Sequence, residues 1–320
     1  MGPRLVFFGT PQVAAHALEA LVAGGLEVAA VVSQPDRPEG RGRTVRPTPV
    51  KESAVSHSLP VLQPESARDE GLHERLATLS PDLFTVVSYG NFLPTKLLGV
   101  PRLAALNLHF SLLPLYRGAA PVNWALVDGV QKTGVTVQRM VKRMDAGDVV
   151  LQREVEVGPD ETSVELVARL TDVGIPLLIE AVDGIFRGTD SRTPQDESRA
   201  TFAPILKREH GGLDFSRPAR ELYDRWRGLL PWPGVFCRLG GEALKIHRCR
   251  VVAGKTDAHP STVQRFTDEG WLAACGSGTV LEILEVQAGS HRRLCARSFA
   301  NGRRLKPPFP LTSVPPAPRS

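Results

Sequence analysis

The chain has 320 residues, 42% of them hydrophobic and 23% charged, with a formal net charge of +5. This composition excludes a largely disordered chain, and no apolar run approaches the roughly 20 residues of a membrane-spanning helix. At about 100 to 200 residues per domain, the length predicts two domains. Charge is unevenly spread: residues 206–320 carry 19 lysines and arginines against 10 carboxylates, whereas residues 1–205 carry 20 against 24. Such a basic C-terminal part suits a polyanionic partner. The start, MGPRLVFFGTP, runs straight into a strand-like segment without a signal-peptide pattern, and Val6 stands where myristoylation needs Ser or Thr. Cys237, Cys249, Cys275 and Cys295 are widely spaced and fit no zinc spacing. A cytoplasmic, reduced protein without a membrane partner is expected.

In chain order, the first half alternates apolar runs with helix-like segments: RLVFF, VAAHALEALVAGG, LEVAAVVS, a long polar loop, DLFTVVSYG and LAALNLH. Continuous β-branched runs separated by amphipathic helices predict an α/β class with a mostly parallel sheet covered on both faces. In such sheets ligands gather beyond the C-terminal ends of strands. GVTVQRM and DVVLQREVEV then read as a hairpin around MDAGD. The segment TSVELVARLTDVGIPLLIEAVDGIF predicts a long helix capped by Thr162. Residues 188–206 are polar and proline-containing and read as a linker. After a helix near Ala219 to Arg227, short strands separated by turn residues predict a small β-barrel, with a flexible tail at its end. The expected division is therefore 1–187, 188–206 and 207–320.

Several segments carry candidate chemistry. The first strand-to-helix turn, FFGTP, holds only Gly9, so the three-glycine fingerprint of a nicotinamide enzyme is missing, and no P-loop occurs. The loop Ser33–Lys51 carries Arg37, Arg41, Arg43, Arg46 and Lys51 against Asp36 and Glu39. A loop that long tends to be functional, and guanidinium forks suit phosphate oxygens. In LAALNLHFSLLPLYRGAAP, Asn107 and His109 are two apart on a strand, so they share a face beyond the sheet edge. Both donate hydrogen bonds to a developing oxyanion, and His109 also moves a proton. A carboxylate beside His109 would favour the imidazolium and orient the ring; Asp145 and Asp148, in MDAGD, are the two candidates. SYGNFLP, at the end of another strand, could wall the same crevice.

NLHFSLLPLYRGAAP closely resembles the N-x-H-x-S-L-L-P-x-x-R-G signature of the folate-dependent formyltransferase family, and GVTVQRMVKRMDAGDVV is similar to its second conserved block. FGTP, QPDRPEGRGR, SYGNFLP and FAPILKREHGGLDFS followed by LLPWPGVF point to the branch that acts on methionyl-tRNA, and the likeness covers nearly the whole chain. The resemblance implies a Rossmann-like catalytic domain and a C-terminal OB-like barrel that binds tRNA. It implies transfer of a formyl group from 10-formyltetrahydrofolate to the α-amine of initiator methionyl-tRNA, by a monomer without a metal. Asn107, His109 and Asp145 become the catalytic set, with Asp145 keeping His109 charged. Ser88, Tyr89, Gly90 and Phe92, with Ser111, Leu112, Leu113 and Pro114, become the folate site. Arg37, Arg41, Arg43, Arg46 and Lys51, with Lys245, Arg248 and Arg250 in the barrel, become tRNA contacts. Val13 stands where family members carry an aromatic residue near the substrate methionine.

Related enzymes with the same catalytic core act on glycinamide ribonucleotide, on amino-sugar nucleotides or on formyltetrahydrofolate alone. The barrel and the length of the chain favour the tRNA branch. A catalytically silent RNA-binding protein would not need Asn107, His109 and Asp145 together.

Overall fold

A computed structural model describes residues 2–39 and 44–319. Its chain falls into two units, one made of Met1–Pro121, Lys132–Glu156 and Leu166–Ala203, the other of Val122–Gln131, Val157–Glu165 and Pro204–Ser320. Elements from the N-terminus are β1 (Arg4–Gly9), α1 (Gln12–Ala23), β2 (Glu27–Val32), β3 (Arg37–Glu39), β4 (Thr44–Arg46), α2 (Pro49–Ser56), β5 (Val61–Leu62) and α3 (Glu70–Thr78). They continue with β6 (Leu83–Val87), α4 (Thr95–Leu98), β7 (Ala104–His109), α5 (Pro121–Val127), β8 (Lys132–Arg139), β9 (Val149–Glu156) and α6 (Ser163–Arg187).

The first unit is built on a sheet of order β5-β2-β1-β6-β7-β8-β9. Its first five strands are parallel, and β8 and β9 complete it antiparallel, as the predicted hairpin. All five residues of β6 (LFTVV) are buried, which is why this strand reads as a run of apolar and β-branched residues without alternation. From β1 the chain first extends the sheet through β2, then returns to the other side of β1 through β6. That reversal sets the C-terminal ends of β1 and β6 side by side, and in such sheets ligands bind beyond the strand ends near a reversal of this kind. Gly9 closes β1 tightly against α1, since a Cβ there would stand 2.6 Å from Ala14 Cβ. The helix α6 begins with the predicted cap: Thr162 Oγ1 accepts the Glu165 N–H at 3.4 Å, and the Glu165 carboxylate accepts the Thr162 N–H at 2.8 Å.

The stretch expected as a linker is bonded along the first unit. Thr193 and Val149 exchange both main-chain bonds, and Arg117 does the same with Thr201 and Ala203 on either side of Phe202.

The second unit contains α7 (Ala219–Gly228), β10 (Val235–Leu239), β11 (Glu242–Val252), β12 (Thr262–Phe266), β13 (Trp271–Ala274), β14 (Val280–Ala288), β15 (Leu294–Cys295), α8 (Ala296–Gly302) and β16 (Phe309–Pro310). The strands run antiparallel in the order β10-β11-β14-β13-β12-β16. Arg238 of β10 and Thr312, just past β16, exchange two main-chain bonds, so the ends of the sheet meet and the OB-like barrel closes without a long free edge. Trp271, Cys237, Cys249 and Cys275 fill its core. The flexible tail expected from the sequence is corrected here: Leu311, Val314 and Ala317 donate to Ser261, Leu213 and Glu209, and Arg319 lies over the Trp124 ring. These main-chain donors need partners once the barrel covers them, and that requirement fixes the strand.

Candidate active site

A cavity of about 470 Å³ opens at the C-terminal ends of β6 and β7. Its size is that of a small-molecule site. Asn107, His109, Gln138 and Asp145 line one side, and Ser88 to Leu93, Met140, Val141 and Met144 the rest.

The alternation along β7 places Asn107 and His109 on one face, as their spacing requires. Asn107 lies opposite Gln138 in the β7/β8 register, so the neighbouring strand adds a third polar group at the same level. Asp145 comes from the turn between β8 and β9 and takes a left-handed backbone (φ 49°), which Asp tolerates better than most residues. Its carboxylate Oδ1 accepts the Gln138 Nε2–H at 2.9 Å and faces Asn107 Nδ2 at 3.5 Å and His109 Nδ1 at 3.8 Å. Oδ2 accepts the Gly118 N–H at 2.8 Å. Gly118 has φ 122°, and a Cβ there would stand 2.6 Å from Ala203 O, so only glycine brings this N–H to the carboxylate.

His109 is buried, with only 5% of its surface exposed. Its Nε2 is 3.0 Å from Tyr116 O; a carbonyl only accepts, so Nε2 carries the hydrogen. Nδ1, facing Asp145, therefore donates only when the ring holds both protons. The cluster presents N–H donors beside a fixed carboxylate, the equipment for stabilising an oxyanion and relaying a proton. Asp148, the other carboxylate of MDAGD, does not line the cavity.

Ser88, Tyr89, Gly90 and Phe92 also reach the cavity. Positive φ at Ser88 (47°) and Gly90 (86°) turns the main chain between them, which suits a flat ring with donors and acceptors on its edge. Ser111, Leu112, Leu113 and Pro114 are placed elsewhere: none lines the cavity, Ser111 Oγ donates to Leu115 O, and the Leu113 N–H donates to Thr136 Oγ1. Ser111 and Leu113 are buried there, and the polar groups of the segment are taken up by Leu115 and by the Thr136 and Gln152 side chains of β8 and β9.

Of the candidate phosphate contacts, Arg37 and Arg46 are exposed register partners across β3 and β4, and Arg41 and Arg43 lie outside the described residues. Lys51 pairs with Asp36, whose carboxyl is held below its ordinary range by hydrogen bonds from Gln63 and then Lys51. Lys245, Arg248 and Arg250 are exposed along β11, with Arg248 3.4 Å from Glu269 and Arg250 2.6 Å from Glu282. Among the described residues no group of three His, Cys, Asp or Glu side chains could hold a metal ion, and no helix is long and apolar enough to cross a membrane.

Sequence reading missed Gln138 and the Tyr116 carbonyl. Gln138 left no distinct signal, since Thr133 and Thr136 are further polar residues of the same strand and equally buried.

Known proteins agree with this architecture. The family model described as formyl transferase matches residues 3–182, and that of the formyl transferase C-terminal domain matches 205–304. The methionyl-tRNA formyltransferase of Acidobacterium capsulatum is 44% identical over 95% of this chain and 98% of its own, and that of Bacillus subtilis 40% identical over 95% and 96%. In fold, the chain resembles the sugar 3N-formyl transferase WlaRD, solved with dTDP and 5-N-formyl-THF (TM-score 0.67, 13% identity, 91% of this chain and 100% of that one). It also resembles HypX from Aquifex aeolicus, solved with tetrahydrofolic acid (TM-score 0.66, 17% identity, 96% of this chain and 48% of that one). Two family models in tandem, and relatives at 40% to 44% identity over 95% of the chain, leave one conclusion: the chain belongs to the formyl transferase family, among the methionyl-tRNA formyltransferases.

Proposed function

We propose that this protein transfers a formyl group from 10-formyltetrahydrofolate to the α-amino group of methionine esterified to initiator tRNA, for the start of translation. The observation that carries the reading is the convergence of Asn107, His109 and Asp145 on one cavity, in a chain whose relatives bear the name of that activity.

The folate co-substrate supplies the formyl carbon, and the residues of the chain do the rest. Asn107 Nδ2 and the doubly protonated His109 donate to the formyl oxygen as negative charge builds on it. Asp145 balances the His109 charge and directs a water that carries the proton shed by the amine to N10, so that the bond between the formyl carbon and N10 breaks and tetrahydrofolate leaves neutral. The turn at Ser88, Tyr89, Gly90 and Phe92 holds the pterin, with Leu93 and Met140 as the apolar wall. Ser111 to Pro114 support this site from behind. Donated N–H groups suffice for the charge, so no metal is assigned. Arg37, Arg41, Arg43, Arg46 and Lys51, with Lys245, Arg248 and Arg250, contact tRNA phosphates. The protein works as a cytoplasmic monomer.

The test uses formyl-labelled 10-formyltetrahydrofolate with charged initiator tRNA, glycinamide ribonucleotide or an amino-sugar nucleotide as acceptor. Label should appear on the methionyl-tRNA alone. Transfer to either nucleotide in preference, or to none of the three, would overturn the reading.

A further inference from the structure

A segment between the two family-matched regions reaches into the candidate site. Gln195 lies outside both residues 3–182 and residues 205–304, in the stretch read from sequence as linker. Its side-chain amide bridges two groups. Oε1 accepts from Arg117 Nε at 3.1 Å and Nη2 at 2.8 Å. Nε2 donates to the main-chain carbonyls of Asp145 at 2.9 Å and Gly147 at 2.7 Å.

Arg117 is only 2% exposed, and its remaining donors go to the Glu197 carboxylate at 3.0 and 2.9 Å. It is also the residue before Gly118, whose N–H holds the Asp145 carboxylate. The contacts therefore close a ring: Asp145 carboxylate to Gly118, along the chain to the Arg117 guanidinium, across to Gln195, and back to the Asp145 carbonyl. One end of Asp145 is held through its side chain and the other through its backbone.

We propose that Gln195 is a positioning residue for the transfer reaction, transmitting the fixed location of buried Arg117 to the Asp145 turn. This rests on the catalytic reading of Asp145 above. An amide is needed because it accepts on one side and donates on the other, which neither a carboxylate nor a thioether does.

Two variants separate this role from a merely structural one. Gln195→Glu keeps the acceptor and turns the Arg117 contact into an ion pair, but its carboxylate repels the two carbonyls of the turn. Gln195→Met removes both sets of bonds at similar volume. If Gln195 serves only to satisfy Arg117, the Glu variant should behave as wild type. If it positions Asp145, both variants should lose roughly tenfold to a hundredfold in kcat, with KM for folate and tRNA within about twofold. A second readout does not depend on activity. Lys142 and Arg143 are exposed in the same turn, so tryptic cleavage there reports its order. Both variants should be cut several-fold faster than wild type at these two bonds, with cleavage elsewhere unchanged. A Glu variant with wild-type kcat, or wild-type cleavage in both variants, overturns the proposal. A wild-type protein that formylates nothing would sink the functional reading instead, and the cleavage rates would still decide the clamp.

Discussion

In the first unit, polar side chains gather at one end of the sheet, where buried His109 and Gln138 meet half-buried Asp145 at the wall of a cavity. The second unit buries charge just as deeply at Asp224 and Arg227, yet there it is closed on itself. Asp224 accepts from Arg227 Nε at 2.6 Å and from Arg220 at 2.6 and 3.0 Å, while Arg227 Nη1 donates to the carbonyls of Gly158 and Glu161. An open parallel sheet leaves strand ends uncovered, so polar groups there stay available to a ligand. A closed antiparallel barrel with its helix offers no such end, and its buried charges hold segments together. Polar groups thus stand open to a cavity in one unit and are closed into architecture in the other.

Breaking the first arrangement should give the largest effect. His109→Ala is expected to lower kcat by about 10³-fold, on the order of 4 kcal/mol of transition-state stabilisation, with little change in unfolding temperature. Asn107→Ala should lose roughly 10² to 10³, having removed one donor. Steady-state formylation beside a thermal melt measures both, and a His109 variant at wild-type rate would remove the imidazole from the mechanism.

The converse belongs to the second unit. Asp224→Ala leaves buried Arg227 without its counter-charge, so a stability loss of about 3 to 5 kcal/mol is expected, with turnover per folded molecule unchanged. Urea unfolding and active-site-normalised rates would show whether stability and chemistry separate in this way.

A smaller effect is expected from pH. His210 is buried against Trp124, and burial lowers its pKa below the ordinary 6.5; burial moves His247 in the same direction. A folded value below the unfolded one means that neutral histidine stabilises the fold. That contribution is complete above about pH 6.5 and is lost as pH falls below it towards the folded values. Unfolding temperatures between pH 7.5 and 5.5 should therefore fall less steeply in His210→Asn than in wild type. Equal slopes would show that His210 takes no part.

The smallest change sharpens the picture of the barrel core. Burial pushes the thiols of Cys237 and Cys275 up to about 12, and that of Cys249 further, while Cys295 is exposed. Native protein should give one fast-reacting thiol and denatured protein four. More than one fast thiol in the native state would mean a looser barrel.

Much of this was present in the order of residues alone. The run of apolar and β-branched residues in β6, the Thr162–Glu165 cap and the hairpin of β8 and β9 follow from side-chain period and short-range hydrogen bonding, which depend on near neighbours. The common face of Asn107 and His109 has the same origin. Spacing within MDAGD left Asp145 and Asp148 open and the family resemblance chose Asp145, which lines the cavity; the structure alone drew Ser111 to Pro114 away from that wall and tied down the C-terminal tail. It alone brought Gln195 to Asp145, 50 residues away, and to Arg117, 78 away. Local pattern fixes which way a side chain points from its own strand or helix. Which distant groups meet there depends on register between strands and on how turns close, and those are settled only when the whole core packs and every buried polar group must find a partner.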